Sequence, residues 1–533
     1  MVMTDPLASL KTIFPVSYRL AGPVDQGTAP EHFPSYLADH PTGCRQYAFL
    51  ADVAAIEYEQ HQLSTASISV PETVDTWQVN PTVRLVEVGW TDLPAFLHDQ
   101  SVLPQPQPSL VLIFRPTPDE PAVSITPDGH DLLALKTVVE QRDIRDVAME
   151  AKVTVGAIDA LLAAAADKGI LLKPVSTLVR EPSFLQGRWA DPEQSRVQTF
   201  ALQWHLTQTC DLRCRHCYDR SSRREMTREQ ALDVLDQLSA FCRVHHVHAQ
   251  VSFSGGNPML SPHFYELYQG AVDRGFLVAV LGNPMAESAV DRMLAIRFPE
   301  FYQVSLEGLQ PHNDYIRGQG HFERTLAFLD RLRQRGVYTM VMLTLTRANC
   351  DQVLPLAELL QGRVDLFTFN RLAMVGEGAA LASVEPERFR TLLEAFLEAA
   401  GRMEHLSLKD NLFNLLLSER QQPLTGGCTG FGCGAAFNFF SVLPDGEVHA
   451  CRKFPSPIGN LSNQSLIEIY HSEQARQYRS GSSACLQCDI RPVCRGCPAV
   501  AHGFGLDVRR ELDPYCFKKD SLVTSHNPRF PAS

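Results

Sequence analysis

Hydrophobic spacing divides the chain into stretches of different character. Between residues 200 and 400, short apolar runs alternate with amphipathic segments. The runs at 201–207 (ALQWHLT), 249–254, 277–281 (LVAVL), 301–306 (FYQVSL), 338–346 and 364–370 read as strands, with helical periodicity between them. Thr227-x-x-Gln230 opens the first of these helices as a capping box. Six βα units in succession predict an α/β fold with a parallel sheet, either an open barrel or a doubly wound sheet. Catalytic groups then belong in the loops after the carboxyl ends of the strands.

Residues 1–102 read as a helical region. Within it Arg45–Gln62 places Phe49, Val53, Ile56 and Tyr58 near a helical period. The proline-rich LPQPQPS at 103–109 marks a boundary. Beyond it, Ser109–Arg115 and Ala122–Thr126 read as strands, followed by helices near 130–140, 143–151 and 154–168, with Gly169 as a C-cap. Two strands and three short helices predict a winged-helix-like module over 103–180. Residues 109–172 hold six basic and ten acidic side chains and no basic recognition helix, which argues against DNA binding. A peptide extending the exposed strand edge needs no such charge. From 425 to 520 the periodicity fades apart from a hairpin turn at Pro444-Asp445-Gly446. Such a region is expected to be held by metal more than by a large core. Residues 521–533 read as a loose tail.

Composition narrows the partners. The 533 residues are 44% hydrophobic and carry a net charge of −12, which disfavours nucleic acid and anionic membrane as targets. No apolar run approaches the ~20 residues needed to span a bilayer. The start, MVMTDPLASLKTIF, lacks the pattern of a signal peptide, so a cytoplasmic location is expected. Fourteen cysteines are then expected to stay reduced rather than form disulfides. Only Cys44 precedes residue 200; three cluster at 210–217 and eight between 428 and 516, while Cys242 and Cys350 stand alone. Cys44, Cys242 and Cys350 read as small buried hydrophobes. His245, His246 and His248 read as a solvated group at a helix end.

After the first strand of the alternating region comes Cys210-x3-Cys214-x2-Cys217. Three thiolates on one loop hold three irons of a [4Fe–4S] cubane and leave the fourth open, whereas structural zinc asks for four ligands. The spacing and its place resemble the signature of the radical S-adenosylmethionine (SAM) superfamily. That resemblance implies that the open iron is chelated by the methionine moiety of SAM. One electron then releases a 5′-deoxyadenosyl radical, which abstracts hydrogen from substrate. Further positions are similar to the same superfamily. Ser254-Gly255-Gly256-Asn257-Pro258 resembles its GGEP motif, with Asn257 in place of the acid. Leu281-Gly282-Asn283 resembles its T-N-G, Ser305 occupies the place of a residue near the ribose, and His312-Asn-Asp314-x2-Arg317-Gly318 resembles H-D-x-x-R-G. The implied cofactor contacts are Gly255, Gly256, Asn257, Asn283, Ser305 and Arg317.

The eight later cysteines run Cys428, Cys433, Cys451, then Cys485-x2-Cys488-x5-Cys494-x2-Cys497, then Cys516. By spacing alone they suit two tetrathiolate sites, of zinc or of iron–sulfur. They resemble the SPASM domain, although two residues rather than three precede Cys497. The resemblance implies a nearer auxiliary [4Fe–4S] cluster on Cys428, Cys433, Cys451 and Cys497, and a farther one on Cys485, Cys488, Cys494 and Cys516. The whole resembles a radical SAM peptide maturase with a partial (β/α)6 TIM-like barrel over 200–400, a SPASM domain over 425–520 and a leader-binding module of the PqqD fold. Gly427-Cys428-Thr-Gly-Phe-Gly-Cys433-Gly-Ala-Ala-Phe-Asn438 and Cys451-Arg-Lys-Phe-Pro are most similar to the selenobiotic peptide maturases. By that resemblance the substrate is a ribosomally made peptide rich in cysteine or selenocysteine, and the product a thioether or related crosslink. The partners are a precursor peptide with its leader and an electron donor such as flavodoxin or ferredoxin. Two alternatives stand beside it. One is a formylglycine-forming enzyme of the anaerobic sulfatase-maturing type, disfavoured by Arg452 where an acid is expected. The other is a non-enzymatic zinc scaffold or regulator.

Overall fold

The computed structural model of the chain describes residues 6–24, 28–40, 47–185 and 192–518. Cys44, the first residues of the helix expected at Arg45–Gln62 and the 521–533 tail lie outside the described residues. The chain divides into two compact units at Val175/Ser176.

The first unit begins with helices α1 (Pro6–Ile13), α2 (Ser17–Ala21), α3 (Phe33–Asp39) and α4 (Leu50–Thr65), packed around Leu10, Phe14, Phe33 and Leu50. The buried Glu57 of α4 ties them together, accepting the Val16 N–H at 2.7 Å and the Ser17 N–H at 3.1 Å. Then come β1 (Gln78–Val79), β2 (Arg84–Val88), α5 (Leu93–His98), β3 (Ser109–Phe114), β4 (Val123–Ile125), α6 (Gly129–Val139), α7 (Ile144–Ala151), α8 (Val155–Asp167) and β5 (Leu171–Leu172). Strands β2, β3 and β4 form an antiparallel sheet in that order, and β1 pairs with β5. Asp128, Asp143 and Thr154 cap the three helices by accepting backbone N–H groups, so each helix starts where a short polar side chain takes up an orphan donor. Leu112, Phe114, Ala134, Val147, Ile158 and Leu162 close a core between sheet and helices.

The proline-rich segment is not a structural break. Strand β2 lies in the stretch expected to be helical, yet it pairs with β3 from Arg84↔Ile113 to Val88↔Ser109. Arg84, Leu85 and Glu87 are exposed on this edge strand and only Val88 is buried, so its sequence shows no clean alternation. The sheet therefore crosses the boundary expected at residues 102/103.

In the second unit, β6 (Thr199–Thr207), α9 (Arg228–His245), β7 (His248–Gly255), α10 (Phe264–Asp273), β8 (Leu277–Leu281), α11 (Glu287–Ile296), β9 (Tyr302–Ser305), α12 (Gln310–Arg317), α13 (His321–Gln334), β10 (Thr339–Leu345), α14 (Val353–Leu360) and β11 (Leu366–Arg371) alternate along the chain. Helices α15 (Pro386–Ala400) and α16 (Phe413–Glu419) lead into β12 (Phe439–Val442), β13 (Glu447–His449), β14 (Pro457–Asn460), α17 (Leu466–His471), α18 (Glu473–Ser480) and α19 (Pro498–Gly503). Strands β6 to β11 pair in parallel with their sequence neighbours. The free side of β6 takes β12 in parallel, then β13 and β14 antiparallel, giving nine strands in one sheet. The six parallel strands are thus an open TIM-like barrel rather than a closed one. The capping box at the start of α9 forms as the sequence predicts: Thr227 Oγ1 accepts the Gln230 N–H, and Gln230 Oε1 accepts the Thr227 N–H at 2.9 Å.

Two expectations need correcting. The cysteine-rich region is not short of core: Phe437, Phe440, Val442, Val448, Ile458, Ile469, Tyr470 and Val493 belong to the same hydrophobic cluster as Phe200, Trp204 and Phe253 of the barrel. Short strands and helices supply these contacts singly, so no long periodicity announces them. His245 is not solvated either. It is buried at 6% exposure, meets Thr177 Oγ1 at 2.7 Å through Nδ1 and packs on Phe241 and Tyr470. Cys242 and Cys350 are buried as expected. Among the described residues, no helix is long and apolar enough to cross a membrane.

Candidate active site

The carboxyl ends of the parallel strands surround a cavity of about 470 Å³. Cys210, Cys214 and Cys217 line it from the loop after β6, Gly255 and Gly256 from the end of β7, Gly282 and Asn283 from the end of β8, Ser305 from β9 and Arg317 from α12. Five of the six expected cofactor contacts thus share one cavity with the three thiols. Asn257 does not reach it. Its side chain is fully buried behind the wall, donating to Asp211 Oδ1 at 3.2 Å, while its Oδ1 has no hydrogen-bond partner. Asn283 donates to the same Asp211 oxygen at 2.8 Å and to Cys210 Sγ at 3.5 Å, so one carboxylate braces both asparagines below the cysteine loop.

Glycine is required at two of these positions. Gly255 has φ +131°, and a Cβ there would lie 2.3 Å from the Thr207 carbonyl oxygen; one on Gly256 would lie 2.3 Å from that of Thr209. The closeness lets Gly256 N donate to Thr207 O and Asn257 N to Thr209 O, both at 2.8 Å. The residues leading into Cys210 are thereby stitched to the end of the neighbouring strand.

A buried carboxylate missed in the sequence organises the far wall. Glu307 is 1% exposed. It accepts Arg317 Nε at 2.9 Å and Nη2 at 2.6 Å, lies 2.8 Å from His216 Nε2, and accepts the Thr344 N–H at 2.7 Å. Burial by itself would raise its pKa, but the adjacent His216 ring, the Arg317 guanidinium and the Thr344 N–H hold it below the usual carboxylate range. Arg317 keeps only Nη1 for other work, and that nitrogen lies 3.7 Å from Cys214 Sγ. In the sequence Glu307 stands only as an acid in QVSLEG, two residues past the end of β9, with nothing local to mark its partners.

The eight later thiols separate into two sets of four. Cys428, Cys433, Cys451 and Cys497 line one small cavity. Cys485, Cys488, Cys494 and Cys516 line another. The described cysteines are all free thiols. Burial pushes Cys451 and Cys485 up to about 12 and Cys494 well above the ordinary range, so without a metal to take their charge these groups are neutral. Among the described residues, no three His, Cys, Asp or Glu side chains converge tightly enough for a single metal ion. A cubane binds one thiolate per iron and does not draw its ligands onto one atom. Asn370, Arg371 and Lys453 line both the radical cavity and the Cys428 cavity.

Arg371, at the end of β11, is a second residue the sequence did not reveal. It bonds Asp513 through both terminal nitrogens, at 2.8 and 2.9 Å, and Asp410 at 2.8 Å. Asp513 in turn accepts the Cys497 N–H at 2.8 Å and the Tyr515 N–H at 2.9 Å. The barrel end and the last two cysteine segments are therefore joined by one ion group in which Arg371 and Asp513 are buried and Asp410 is partly so. Only the acid in DPYC, three residues before Cys516, hinted at it.

Three thiols open to a cavity of ligand size, with two sets of four thiols behind, are the donor arrangement of a radical SAM enzyme with auxiliary clusters. The profile of the radical SAM superfamily matches residues 204–360, and that of an iron-sulfur cluster-binding domain, SPASM, matches 433–498. The mycofactocin maturase MftC of Mycolicibacterium smegmatis is 30% identical over 336 residues, spanning 59% of this chain and 82% of the relative. The AdoMet-dependent heme synthase of Methanosarcina barkeri is 26% identical over 345 residues, spanning 59% of this chain and 95% of the relative. Among solved structures, Streptococcus suis SuiB bound to S-adenosylmethionine overlays with a TM-score of 0.50 at 16% identity, over 77% of this chain and 96% of SuiB; that likeness concerns the fold.

The chain belongs to the radical SAM superfamily and is an enzyme of it with a SPASM domain. Its cofactors are [4Fe–4S] clusters and S-adenosylmethionine, which supply reductive cleavage of the sulfonium and radical chemistry when bound.

Proposed function

We propose that the chain is a radical SAM maturase of a ribosomally made peptide rich in cysteine or selenocysteine, and that it forms a thioether or related crosslink. The carrying observation is the pair of four-thiol cavities, one of which shares Asn370, Arg371 and Lys453 with the radical cavity. Forming a thioether removes two hydrogens from the peptide, and such an oxidation needs an electron outlet near the reacting carbon. In this reading Cys210, Cys214 and Cys217 hold the SAM cluster. Cys428, Cys433, Cys451 and Cys497 hold the nearer auxiliary cluster, and Cys485, Cys488, Cys494 and Cys516 the farther one. With four thiols in each auxiliary cavity, neither leaves an iron for a substrate sulfur, so the substrate is held by protein groups around the radical cavity. Gly255, Gly256, Asn283, Ser305 and Arg317 face the SAM there, and Asn257 acts from behind through Asp211.

The similarity to a mycofactocin maturase supports a peptide substrate. So does the existence of a SuiB structure bound to its precursor peptide SuiA. In the first unit, three antiparallel strands followed by three capped helices suit a leader-recognition module resembling the PqqD fold, with a strand edge for the peptide. A flavodoxin or ferredoxin would supply the priming electron. The formylglycine alternative is less favoured: Arg452, in place of the expected acid, donates to Ser254 Oγ at 2.6 Å in the cavity wall.

Anaerobic reconstitution followed by iron and sulfide analysis tests the cofactor assignment, with about twelve irons expected per chain. Incubation with SAM, reductant and a short cysteine-rich peptide encoded beside the gene then tests the reaction. Formation of 5′-deoxyadenosine with a peptide lighter by two hydrogens per crosslink is expected. Deoxyadenosine without any change across such peptides would overturn the substrate class, and zinc in place of iron would return the scaffold reading.

A further inference from the structure

Three arginines lie beside the four-thiol cavities without an ion pair; the carboxylate that acts on Arg491 and Arg495, Glu181, is exposed and makes no salt bridge to them. Arg180, Arg491 and Arg495 are 4%, 4% and 7% exposed. They gather around one ring: the guanidinium carbons of Arg491, Arg180 and Arg495 lie 3.7, 5.2 and 5.3 Å from the centre of Phe184. Arg180 also stacks on Phe437 at 3.6 Å. Their hydrogen bonds go to neutral acceptors. Arg180 donates to the carbonyls of Phe431 and Cys433, Arg491 to Ser183 and to the Ser480 carbonyl, and Arg495 to the Arg479 carbonyl. Five of their nitrogens are buried with no partner: Nε and Nη1 of Arg180, Nε of Arg491, and Nε and Nη2 of Arg495. Among the described residues, no carboxylate oxygen lies within 4.0 Å of any of the three.

Such a group is unstable by itself. A buried ion without a partner is costly, and like charges around one ring add repulsion. Stacking on Phe184 and Phe437 returns only part of that cost. One exposed carboxylate, Glu181, does not offset three buried cations. The other groups around them that can carry negative charge are the thiol sets. Arg491 and Arg495 line the cavity of Cys485, Cys488, Cys494 and Cys516. Arg495 also lines a cleft with Cys433 and Cys497, and Arg180 binds the Cys433 carbonyl at 3.0 Å. A cubane held by four thiolates is a net anion and gains one more negative charge on reduction.

We propose that Arg180, Arg491 and Arg495 are the built-in counter-charge of the two auxiliary clusters and raise their reduction potentials, with Arg495 acting on both, Arg491 on the farther and Arg180 on the nearer. The inference rests on the auxiliary-cluster assignment under Proposed function. The arginines are positioning residues: they touch neither substrate nor SAM, and they make it easier for each cluster to hold an extra electron.

The test uses full-length, anaerobically reconstituted protein in which Cys210, Cys214 and Cys217 are alanine, so that only auxiliary signals remain. Midpoint potentials are read by electron paramagnetic resonance during titration with dithionite. Arg495→Gln should lower both potentials, Arg491→Gln that of the farther cluster alone, and Arg180→Gln that of the nearer alone. Each Lys variant should stay close to the parent. Where one Gln variant fails to take up iron, the other two carry the test. Full iron with unmoved potentials, or equal shifts in Lys and Gln variants, overturns the counter-charge role while leaving the cluster assignment intact. Absence of auxiliary iron in the parent overturns both.

Discussion

All three thiols that line the radical cavity come from one loop of a few residues, whereas the C-terminal cavities collect four each over longer stretches, residues 428–497 for one and 485–516 for the other. The difference separates two ways of using the same ligand. A short loop can present only part of a cubane's coordination, and what it leaves open faces a cavity of about 470 Å³. Four thiols close the coordination, and in each C-terminal set at least one of the four comes from a separate segment, so closure depends on the fold that gathers them. The radical loop is accordingly set by local devices, Gly255 and Gly256 pressed against Thr207 and Thr209. The C-terminal sets hang on long-range ones, the Arg371–Asp513 fork and a core continuous with the barrel.

The largest expected effect divides the two regions outright. Cys214→Ala should abolish 5′-deoxyadenosine formation and remove about four irons, while the C-terminal iron is retained. Cys494→Ala should instead cost iron from the farther site alone and leave SAM cleavage without peptide measurable. Iron analysis beside deoxyadenosine yield checks both. Should Cys214→Ala empty all three sites together, the two regions would not be independent.

How much of this was legible in the sequence follows the same division. The cysteine loop, Gly255-Gly256, Asn283 and Arg317 could be read directly because strand ends and short spacings are local properties, and the structure brings them to one cavity. The six parallel strands were legible for the same reason, their apolar runs being buried on both faces. Glu307, Arg371 and Asp513 were not, since each is meaningful only through partners that are distant in the chain or look unremarkable in isolation. Strand β2 was hidden by its exposed edge residues, and the burial of His245 by packing from Tyr470, more than two hundred residues later.

The next effect is on stability and probes the long-range side. Arg371→Gln leaves Asp410 and Asp513 buried at 8% and 3% side-chain exposure without their cation. Removing one partner of such a group costs about 3–5 kcal/mol, because the remaining charges stay out of water. Urea unfolding followed by fluorescence should show that loss, with C-terminal iron released earlier than iron bound by the radical loop. A change under about 1 kcal/mol would mean that the fork does not hold the cysteine segments to the barrel end.

The smallest effect asks whether packing, rather than metal, joins the C-terminal region to the barrel. His245 ends α9 and packs on Tyr470 and His471 of α17. Burial first, then the neighbouring His471, His246 and Arg479, lowers its pKa to about 4. The unfolded chain takes up that proton near 6.5, so between those values the unfolded state binds more protons than the native one. Native stability should therefore fall as pH drops from about 6.5 towards 4, with no contribution from this group above that window. His245→Phe removes the group while keeping a ring, and should flatten the slope by about 1–2 kcal/mol between pH 7 and pH 5, discounted for the water that reaches the seam. Comparing variant with wild type at each pH cancels acid loss of clusters, which strikes both alike. Parallel slopes in the two proteins would show that the α9–α17 seam opens before the histidine is protonated, leaving the clusters to hold the region in place.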